Sequence, residues 1–255
     1  MGRMKAGTRA ICGGIDVMAP AMDDTRVVAQ IRDVLQSADR VHIPEYFTQQ
    51  AAQYFFEGCR DATFSVVFQG AQGAYDIKAA DIGALNVDQR VELTNAIYGQ
   101  AANGFQYLFD SYRISDEVEA GRLTKGPLAD FFAGLNAPEM IARLREMTGD
   151  ERIEYCDAQA TRYRPGHFLT VHDDAQAGKD RLYAYVINLT PVWRGDWGGL
   201  LMFMAEDGHV AEAFTPKWNA LNILKVPQEH AVSVVAPFAR GARYSITGWM
   251  RSRRP

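Results

Sequence analysis

Apolar and polar positions in the first 150 residues follow the period of an α-helix more often than that of a strand. Acidic, amide or hydroxyl residues precede several of the apolar runs and glycines follow them, which are the usual start and stop signals of helices. We predict helices directly after Asp23-Asp24, over residues 49–59, 87–103 and 128–135, and from an Asn136 cap with Pro138 in the first turn to Thr148-Gly149. Two short strands, 40–43 and 64–68, interrupt this pattern, and residues before Met22 show no regular period.

After Asp150 the pattern changes to short runs of β-branched and aromatic residues, each bounded by Gly, Pro, Asp or Asn. Many short strands separated by turn residues are typical of a sandwich or jelly roll. We predict strands at 153–156, 160–163, 168–171, 182–189, 200–204, 210–214, 220–225, 231–235 and 244–250. We therefore expect an α+β protein of one domain, 1–255, in which mainly helical residues 1–150 support a β core over residues 151–251.

Composition and charge exclude several function classes. The 255 residues are 47% hydrophobic and 23% charged, which is ordinary for a globular protein. The formal net charge of -4 argues against a nucleic-acid binder held by bulk charge. We expect the basic residues near the C-terminus to form a solvated tail, and we expect no nucleic-acid partner.

The cysteines and the N-terminus bear on the compartment. Cys12, Cys59 and Cys156 are odd in number and form no CxxC pair, so we expect neither a disulfide framework nor a zinc site. A reducing, cytoplasmic compartment fits this usage. The first 21 residues contain no continuous apolar stretch, so we predict no signal peptide. Since no run approaches the ~18 apolar residues of a membrane span, we expect no membrane partner.

A His-x-Asp sequence, His172 and Asp174, follows one of the predicted strands. Because residues two apart on a strand point to the same side, these two side chains should converge. One imidazole and one carboxylate, joined by a second imidazole, form the facial triad that binds Fe(II) and leaves coordination positions open. His230, at the mouth of a later strand, is the candidate for the third ligand.

The other three histidines are weaker candidates. His42 on an early strand and His209 in a Gly-containing turn are more typical of structural or solvated positions. His167 is five residues before His172, and this odd offset would point the two side chains to opposite faces of a strand.

Arg243 begins the last predicted strand, on the same face as Ser245. An arginine that points inward would bury an unpaired charge unless an anion meets it. A guanidinium binds a carboxylate through two short, charge-assisted hydrogen bonds, so Arg243 is a candidate to hold a carboxylate ligand. The alternative is a surface arginine paired with Asp or Glu, and the neighbouring Arg240, in an Ala-Arg-Gly turn, fits that description better.

Five sequence elements occur in order between residues 153 and 251. They are the Tyr163…Gly166…Phe168…His172-x-Asp174 run, Arg181 before Asn188-Leu189, the Gly198-Gly199-Leu200-Leu201-Met202-Phe203 segment, Pro227…His230-x-Val232, and Arg243-Tyr244-Ser245-Ile246-Thr247-Gly248-Trp249. Together they resemble the Fe(II)- and 2-oxoglutarate-dependent dioxygenases, in the prolyl-4-hydroxylase-like branch. The last element is especially similar to that of yeast ribosomal-protein prolyl hydroxylases and their bacterial relatives.

The resemblance implies a double-stranded β-helix, a jelly roll of the cupin-like kind, with helices packed on it. It further implies that His172, Asp174 and His230 are the catalytic iron ligands, and that the far carboxylate of 2-oxoglutarate meets Arg243 with help from Ser245 or Tyr163. O2 would be the second cosubstrate, and ascorbate a suitable reductant in vitro. One position departs from the family, because Asn188 stands where relatives often carry a cosubstrate-binding Tyr.

The reaction implied is hydroxylation of an unactivated C–H bond with release of succinate and CO2. A prolyl residue of a protein or peptide is the favoured substrate, and a small molecule remains open. Two alternatives stay under consideration: a cupin-like metal dioxygenase that uses no 2-oxoglutarate, for which Arg243 would have no use, and a non-catalytic binding module on the same fold.

No Gly-x-Ser-x-Gly elbow and no phosphate-binding glycine motif occur. The Gly198-Gly199 pair is interpreted as a tight turn, and Trp193, Trp197 and Trp218 as packing residues in preference to a substrate groove.

Overall fold

The helices lie almost entirely before residue 150. The protein is described by a computed structural model that covers residues 11–12 and 15–254, so the irregular start predicted for the chain falls partly outside the described residues. The helices are α1 (Thr25–Ala38), α2 (Gln49–Asp61), α3 (Ala79–Ala84), α4 (Val87–Ala101), α5 (Ile114–Glu119), α6 (Pro127–Leu135) and α7 (Pro138–Thr148). Two 3₁₀ helices cover Pro20–Asp23 and Gly195–Trp197.

Local sequence explains several helix ends. The side chains of Asp24 and Thr48 accept hydrogen bonds from backbone N–H groups in the first turns of α1 and α2. Gly149 takes the left-handed conformation that ends α7, as the sequence predicts. The predicted Asn136 cap is wrong, because Ala137 is the N-cap of α7 and has no side-chain cap bond. Asn136 instead ends α6, where its amide donates to the backbone oxygens of Phe132 and Cys156.

The strands form one small hairpin and one large antiparallel sheet. The hairpin pairs β1 (Ile11–Cys12) with β2 (Ile15–Asp16). The sheet contains β3 (Arg40–Ile43), β4 (Ser65–Gly70), β5 (Gly73–Lys78), β6 (Tyr107–Tyr112), β7 (Tyr155–Cys156), β8 (Gln159–Tyr163), β9 (Phe168–His172), β10 (Arg181–Asn188), β11 (Leu201–Met204), β12 (Val210–Phe214), β13 (Ala220–Lys225), β14 (His230–Val232) and β15 (Arg243–Arg251). Its strand order is β12-β11-β14-β9-β6-β8-β15-β10-β13-β3, and the predicted α+β class is confirmed.

Strand β6 joins the two halves of this sheet. It pairs with β9 through Tyr107 and Leu169, and with β8 through Asp110 and Arg162. It also carries the β4–β5 hairpin, since β4 pairs with β6 along four residues. Neither β5 nor β6 was predicted, so the N-terminal part of the chain contributes two strands to the sheet beyond those expected from its sequence.

The main hydrophobic core lies between the helices and one face of the sheet. It contains Leu35 from α1, Phe55 from α2, Leu144 from α7, Tyr185 from β10 and Ile223 from β13, all at most 2% exposed. A second cluster lies on the other side of the sheet and includes Phe109, Tyr163, Val232 and Val235. Burial of each such side chain contributes roughly 1.5–3 kcal/mol, so the helix layer supplies much of the stability of the sheet.

Two further expectations concern the cysteines and membrane-spanning helices. Cys59 and Cys156 are buried free thiols, whereas the side chain of Cys12 lies outside the described residues. Between residues 15 and 254, every helix is too short or too polar to reach across a bilayer.

Candidate active site

Three side chains converge at the adjoining ends of β9 and β14. The Nε2 atom of His172 lies 3.5 Å from Oδ1 of Asp174, and the Nε2 atom of His230 lies 3.4 Å from its Oδ2. The two imidazole ring centres are 4.1 Å apart. His172 and His230 are partners in the β9–β14 register, which explains why their rings meet. This is a cluster of ligand atoms within 4.8 Å of one another that could hold a metal ion.

The carboxylate reaches this cluster by a different route from the one the sequence suggested. Strand β9 ends at His172, and Asp174 lies beyond it with a left-handed φ of 62°. Strand alternation therefore does not apply to Asp174. The positive φ turns the chain back so that the carboxylate faces the two imidazoles, and such strained conformations of non-glycine residues often occur at functional sites.

Backbone carbonyls fix the tautomers of both histidines. The Nδ1 atom of His172 lies 3.0 Å from the carbonyl of Thr170, and the Nδ1 atom of His230 lies 2.7 Å from that of Gln228. A carbonyl can only accept, so each Nδ1 carries the proton and donates it. In the neutral rings, Nε2 is then an unprotonated lone-pair donor directed toward Asp174, which is the arrangement of metal-binding histidines.

The charges of the cluster fit a cation. Burial lowers the pKa of His230, and the neighbouring His172 lowers it further, so its ring is neutral at physiological pH. Burial raises the pKa of Asp174, but its polar neighbours hold the pKa below its ordinary value, so the carboxylate is ionised. Neutral Nε2 atoms and carboxylate oxygens are all acceptors, so they repel one another at these distances unless a positive ion lies between them.

Arg243 is buried on the same side of the sheet as this cluster. It is 2% exposed, and its Nε and Nη1 atoms have no hydrogen-bond partner among the described residues. Its contacts are a long 3.5 Å hydrogen bond from Nη2 to Oδ1 of Asn188 and the Tyr163 ring, 5.2 Å from its Cζ. Burial lowers the pKa of Arg243. A buried guanidinium with two free N–H groups fits the carboxylate of an anionic ligand, because burying it unpaired is costly.

Two hydroxyl groups and one amide lie on strands next to Arg243. The Oγ atoms of Ser245 and Thr161 are 2.8 Å apart on the neighbouring strands β15 and β8, and Ser245 is fully buried. Asn188 faces Ser245 in the β10–β15 register, and its amide donates weakly to the backbone oxygen of Ala220 at 3.5 Å. The position where relatives often have Tyr thus holds a small amide directed toward Arg243.

A row of aromatic rings runs from the triad to Arg243. Along one face of β6 and the short segment before it, Phe105, Tyr107 and Phe109 are spaced by 5.7 and 5.6 Å between ring centres. Phe109 stacks on Tyr163 at 5.1 Å, and burial raises the pKa of the Tyr163 hydroxyl. At the other end, Phe105 lies 5.8 Å from the ring of His172 and is 51% exposed. These rings form an aromatic wall between the two polar groups.

The Gly198-Gly199 pair forms the tight turn expected from the sequence, with φ values of 70° and 63°. A Cβ atom on Gly198 would lie 2.0 Å from the backbone oxygen of Val234, so no side chain fits there. A Cβ on Gly199 would lie 3.5 Å from Cδ of Arg243. The turn therefore closes one side of the pocket around Arg243.

The remaining candidates lie away from the triad. His42 bonds to Oδ1 of Asn222, and His209 is exposed. His167 is 5% exposed and near Asp110, not at the metal ligands. Arg240 is exposed, as expected. Among the tryptophans, Trp218 packs on Phe56 in the helix layer, whereas Trp193 and Trp197 pack on each other beside the Gly198 turn.

Two contacts near the site were not anticipated from the sequence, although Arg181 belongs to one of the five matched elements. Gln106 is fully buried next to Phe105, and its backbone N–H and C=O both bond to Thr170, whose carbonyl in turn accepts from His172. Arg181 donates to the backbone oxygen of Asp174. Neither could be found from periodicity, because one precedes a strand that was not predicted and the other acts through a main-chain atom.

A separate apolar hollow of about 280 Å³ lies between the helices and the sheet, lined by residues such as Tyr46, Phe131 and Met140. It contains no cluster of metal-binding groups and lies within the main core.

Sequence comparison relates the β half of the chain to known proteins. Residues 158–251 match the family model of the 2OG-Fe(II) oxygenase superfamily. Prolyl 3-hydroxylase OGFOD1 of Mus musculus is 30% identical over 115 residues, which are 42% of this chain and 21% of that protein. The chain thus spans about a fifth of the length of this curated relative.

Solved structures with low sequence identity share the fold. A prolyl-4-hydroxylase of Pseudomonas putida has a TM-score of 0.57 at 16% identity, over 89% of this chain and 100% of that one. A prolyl hydroxylase of Trichoplax adhaerens, in complex with a peptide fragment of the hypoxia inducible factor oxygen degradation domain, has a TM-score of 0.59 at 14% identity, over 91% and 96%. These likenesses confirm the predicted double-stranded β-helix fold.

Proposed function

Residues 158–251 belong to the 2OG-Fe(II) oxygenase superfamily, and on this premise we propose that the protein hydroxylates a prolyl residue of a protein or peptide. Enzymes of this superfamily are 2-oxoglutarate-dependent dioxygenases that use Fe(II), 2-oxoglutarate and O2. The observation that carries the proposal is the pairing of a His-Asp-His cluster with a buried, unpaired guanidinium on the same side of the sheet. A dioxygenase that used no 2-oxoglutarate would have no need for Arg243.

In this proposal the triad holds iron. The Nε2 atoms of His172 and His230 and the carboxylate of Asp174 are the ligands, and the carbonyls of Thr170 and Gln228 keep the imidazoles oriented. When bound, Fe(II) and 2-oxoglutarate would activate O2: one oxygen atom would enter the substrate C–H bond, and the other would enter succinate as 2-oxoglutarate loses CO2. The protein contributes ligand geometry and open coordination positions.

Arg243 binds the far carboxylate of 2-oxoglutarate in the same proposal. Its Nε and Nη1 atoms have no partner among the described residues and are free to donate to the carboxylate, and Ser245, with Tyr163 beside it, completes the polar end of the pocket. The aromatic wall keeps water out, which strengthens the charge-assisted bonds to the carboxylate.

The prolyl substrate is supported by the rim of the site and by the relatives. Phe105 presents an exposed aromatic face beside His172, which suits the apolar ring of proline and not a charged side chain. The curated relative is named as a prolyl hydroxylase, and one structural relative is a prolyl hydroxylase solved with a peptide. The buried free thiols Cys59 and Cys156 fit a reducing compartment, and we place the protein in the cytoplasm.

An assay of succinate formation tests the proposal in two stages. The purified protein is mixed with Fe(II), ascorbate and 2-oxoglutarate in air, and a low rate of succinate formation is expected without substrate. Short peptides with one central proline, matched to the same peptides with alanine, are then added, and product is identified by mass spectrometry as a gain of one oxygen atom on proline. Asp174→Ala should abolish both signals while the circular dichroism spectrum stays unchanged.

Each result has a distinct meaning. Succinate that forms only with proline peptides, with oxygen on the proline, supports the full proposal. Succinate without proline hydroxylation would replace the prolyl substrate by another one. Absence of 2-oxoglutarate turnover in every condition would contradict the oxygenase activity and favour a binding module on this fold.

A further inference from the structure

Asp174 receives little support from its own strand. It lies two residues beyond the end of β9, and its neighbours Asp173, Ala175, Gln176, Ala177, Gly178 and Lys179 are exposed. Its left-handed φ of 62° is a conformation that a non-glycine residue keeps only when its surroundings hold it there. Some other contact must therefore fix the direction of this carboxylate.

Arg181, the first residue of β10, provides that contact. Its Nη1 atom donates a 2.9 Å hydrogen bond to the backbone oxygen of Asp174 and lies 3.9 Å from the carboxylate oxygen Oδ1. Side-chain exposure is 13% for Arg181 and 9% for Asp174, so water screens the pair weakly. One guanidinium thus contacts the main chain and faces the side-chain charge of the same residue.

The guanidinium of Arg181 is itself held in place. Its Cζ atom lies 3.5 Å from the centre of the Trp249 ring, which is close stacking of a planar cation on an aromatic face. Trp249 is fixed in turn by its backbone N–H, which donates to Oδ1 of Asp157 at 2.7 Å. Asp157 is already paired with Arg251, the partner of Arg181 in the β10–β15 register, so the nearest carboxylate left for Arg181 is Asp174.

We propose that Arg181, stacked on Trp249, is a positioning residue that holds Asp174 in its metal-binding geometry and so sets the metal affinity of the triad. The inference rests on the proposed function, because it takes the triad to be a metal site. It concerns a contact from Arg181 in β10 to the main chain two residues beyond β9, and it gives Arg181 and Trp249 a role outside the set of ligands.

The test measures metal binding without turnover. Co(II) is titrated into the metal-free full-length protein, and affinity is followed by calorimetry and by the visible absorption of the bound ion, which reports coordination geometry. Loss of a contact that orients a ligand typically lowers metal affinity roughly 10- to 100-fold, and we expect this loss and an altered spectrum in Arg181→Ala. Trp249→Leu, which removes the stacking surface but keeps the arginine, should shift both in the same direction by less.

Controls separate positioning from general destabilisation. Arg122→Ala removes an exposed arginine paired with Glu117 and should bind Co(II) like the parent protein. The thermal unfolding of each metal-free variant shows whether the fold is kept, and if Arg181→Ala does not fold, Arg181→Lys is judged by the same criteria. A purely structural role would lower the unfolding temperature and leave the Co(II) spectrum unchanged.

The outcomes also distinguish this inference from the proposed function. Unchanged Co(II) affinity and spectrum in a folded Arg181 variant would overturn the inference, including the case in which only the KM for a peptide rises, since Arg181 would then be a substrate contact. If Asp174→Ala bound Co(II) as tightly as the parent protein, the triad itself would not be the metal site and the proposed function would fail.

Discussion

Two residues at the site lower the stability of the ligand-free protein, one through its buried charge and one through its backbone conformation. Arg243 is buried without an acidic partner among residues 15–254, and Asp174 keeps a left-handed backbone conformation. An unpaired buried guanidinium destabilises the ligand-free protein, because its hydration is lost and not replaced. Such positions are expected where a ligand supplies the missing contacts.

The first prediction concerns Arg243. A hydrogen bond to a charged group contributes roughly 1.5–3 kcal/mol, so Arg243→Ala should weaken 2-oxoglutarate binding about 10- to 150-fold. The KM for 2-oxoglutarate in the succinate assay measures this effect. Arg240→Ala, which removes an exposed arginine three residues earlier, is the matched control and should leave that KM unchanged. An unaltered KM in Arg243→Ala would remove this residue from the pocket.

The second prediction uses the buried His167. Burial lowers its pKa to about 4, against the opposing charge of Asp110, and its Nδ1 atom has no hydrogen-bond partner among the described residues. Between pH 4 and the unfolded value near 6.5, the unfolded chain binds more protons than the folded one. The contribution of neutral, buried His167 to the free energy of unfolding is therefore fully present above the pKa of the unfolded chain. It is lost as the pH falls toward 4.

Urea unfolding of the parent protein and of His167→Phe, at about pH 7.5 and about pH 5, measures this contribution. The free energy of unfolding should fall by about 2 kcal/mol less in the variant than in the parent protein over this interval. His209→Gln, at an exposed position, should behave like the parent protein. Equal pH dependence in His167→Phe would show that this histidine titrates normally.

The residue scale also shows what the sequence could reveal about the site. His172, Asp174, His230 and Arg243 were singled out because each is a polar residue next to a predicted strand, and the structure places all four on one side of the sheet. Their roles as ligands stay predictions until metal binding is measured. The left-handed turn at Asp174 was not predictable, because a non-glycine residue with positive φ carries no local signature.

Among the secondary-structure elements, β6 differs most from its sequence pattern. Its residues Asp110 and Ser111 suggest a loop, yet both are buried. Arg162 and Arg164 both bond to the Asp110 carboxylate, and Gln159 pairs with Ser111, so the sheet provides partners that the sequence of β6 does not contain. The short edge strand β5 was missed for another reason, since most of its residues are exposed and show no apolar alternation.

The third prediction tests Gln106, the residue directly before β6. The amide of Gln106 is fully satisfied: its Oε1 accepts from the backbone N–H groups of Gln69 and Tyr107, and its Nε2 donates to the oxygen of Gln69 and to Gln100. Gln106→Leu would leave the partly buried backbone groups of Gln69 and Tyr107 without these partners. The expected loss in free energy of unfolding is roughly 2–4 kcal/mol, measured in urea.

Gln53→Leu is a matched control for this experiment, because Gln53 is exposed and bonds to Glu57 within the same helix. It should change the free energy of unfolding by less than about 0.5 kcal/mol. A similarly small effect of Gln106→Leu would show that the network around Gln106 relaxes or takes up water.

At the scale of the whole molecule, the helical and β parts share one core and one sheet. Helices α1, α2, α6 and α7 cover one face of the sheet, and β6 lies between β8 and β9. The fourth prediction follows: a fragment that begins at residue 151 should not fold, because it would expose the main apolar core and leave two sheet edges unpaired. Circular dichroism and the dispersion of amide proton resonances measure the outcome.

Addition of a separate fragment of residues 1–150 should restore part of the signal if the two parts are complementary halves of one folding unit. A cooperative unfolding transition in the isolated C-terminal fragment would contradict this prediction. It would show that the β half is an independent domain and that the helices are attached to it only loosely.

The position of β6 has a consequence for recombination between homologous proteins. The stretch that carries the family match begins at residue 158, but the strand between its β8 and β9 lies some fifty residues earlier in the chain. A chimaera that exchanged only residues 158–251 would place a foreign pair of strands on either side of the native Tyr107–Tyr112. Substitutions in β6 are thus expected to co-vary across species with substitutions in β8 and β9. Chimaeras that fold should have their crossover point before Tyr107, so that all three strands come from one parent.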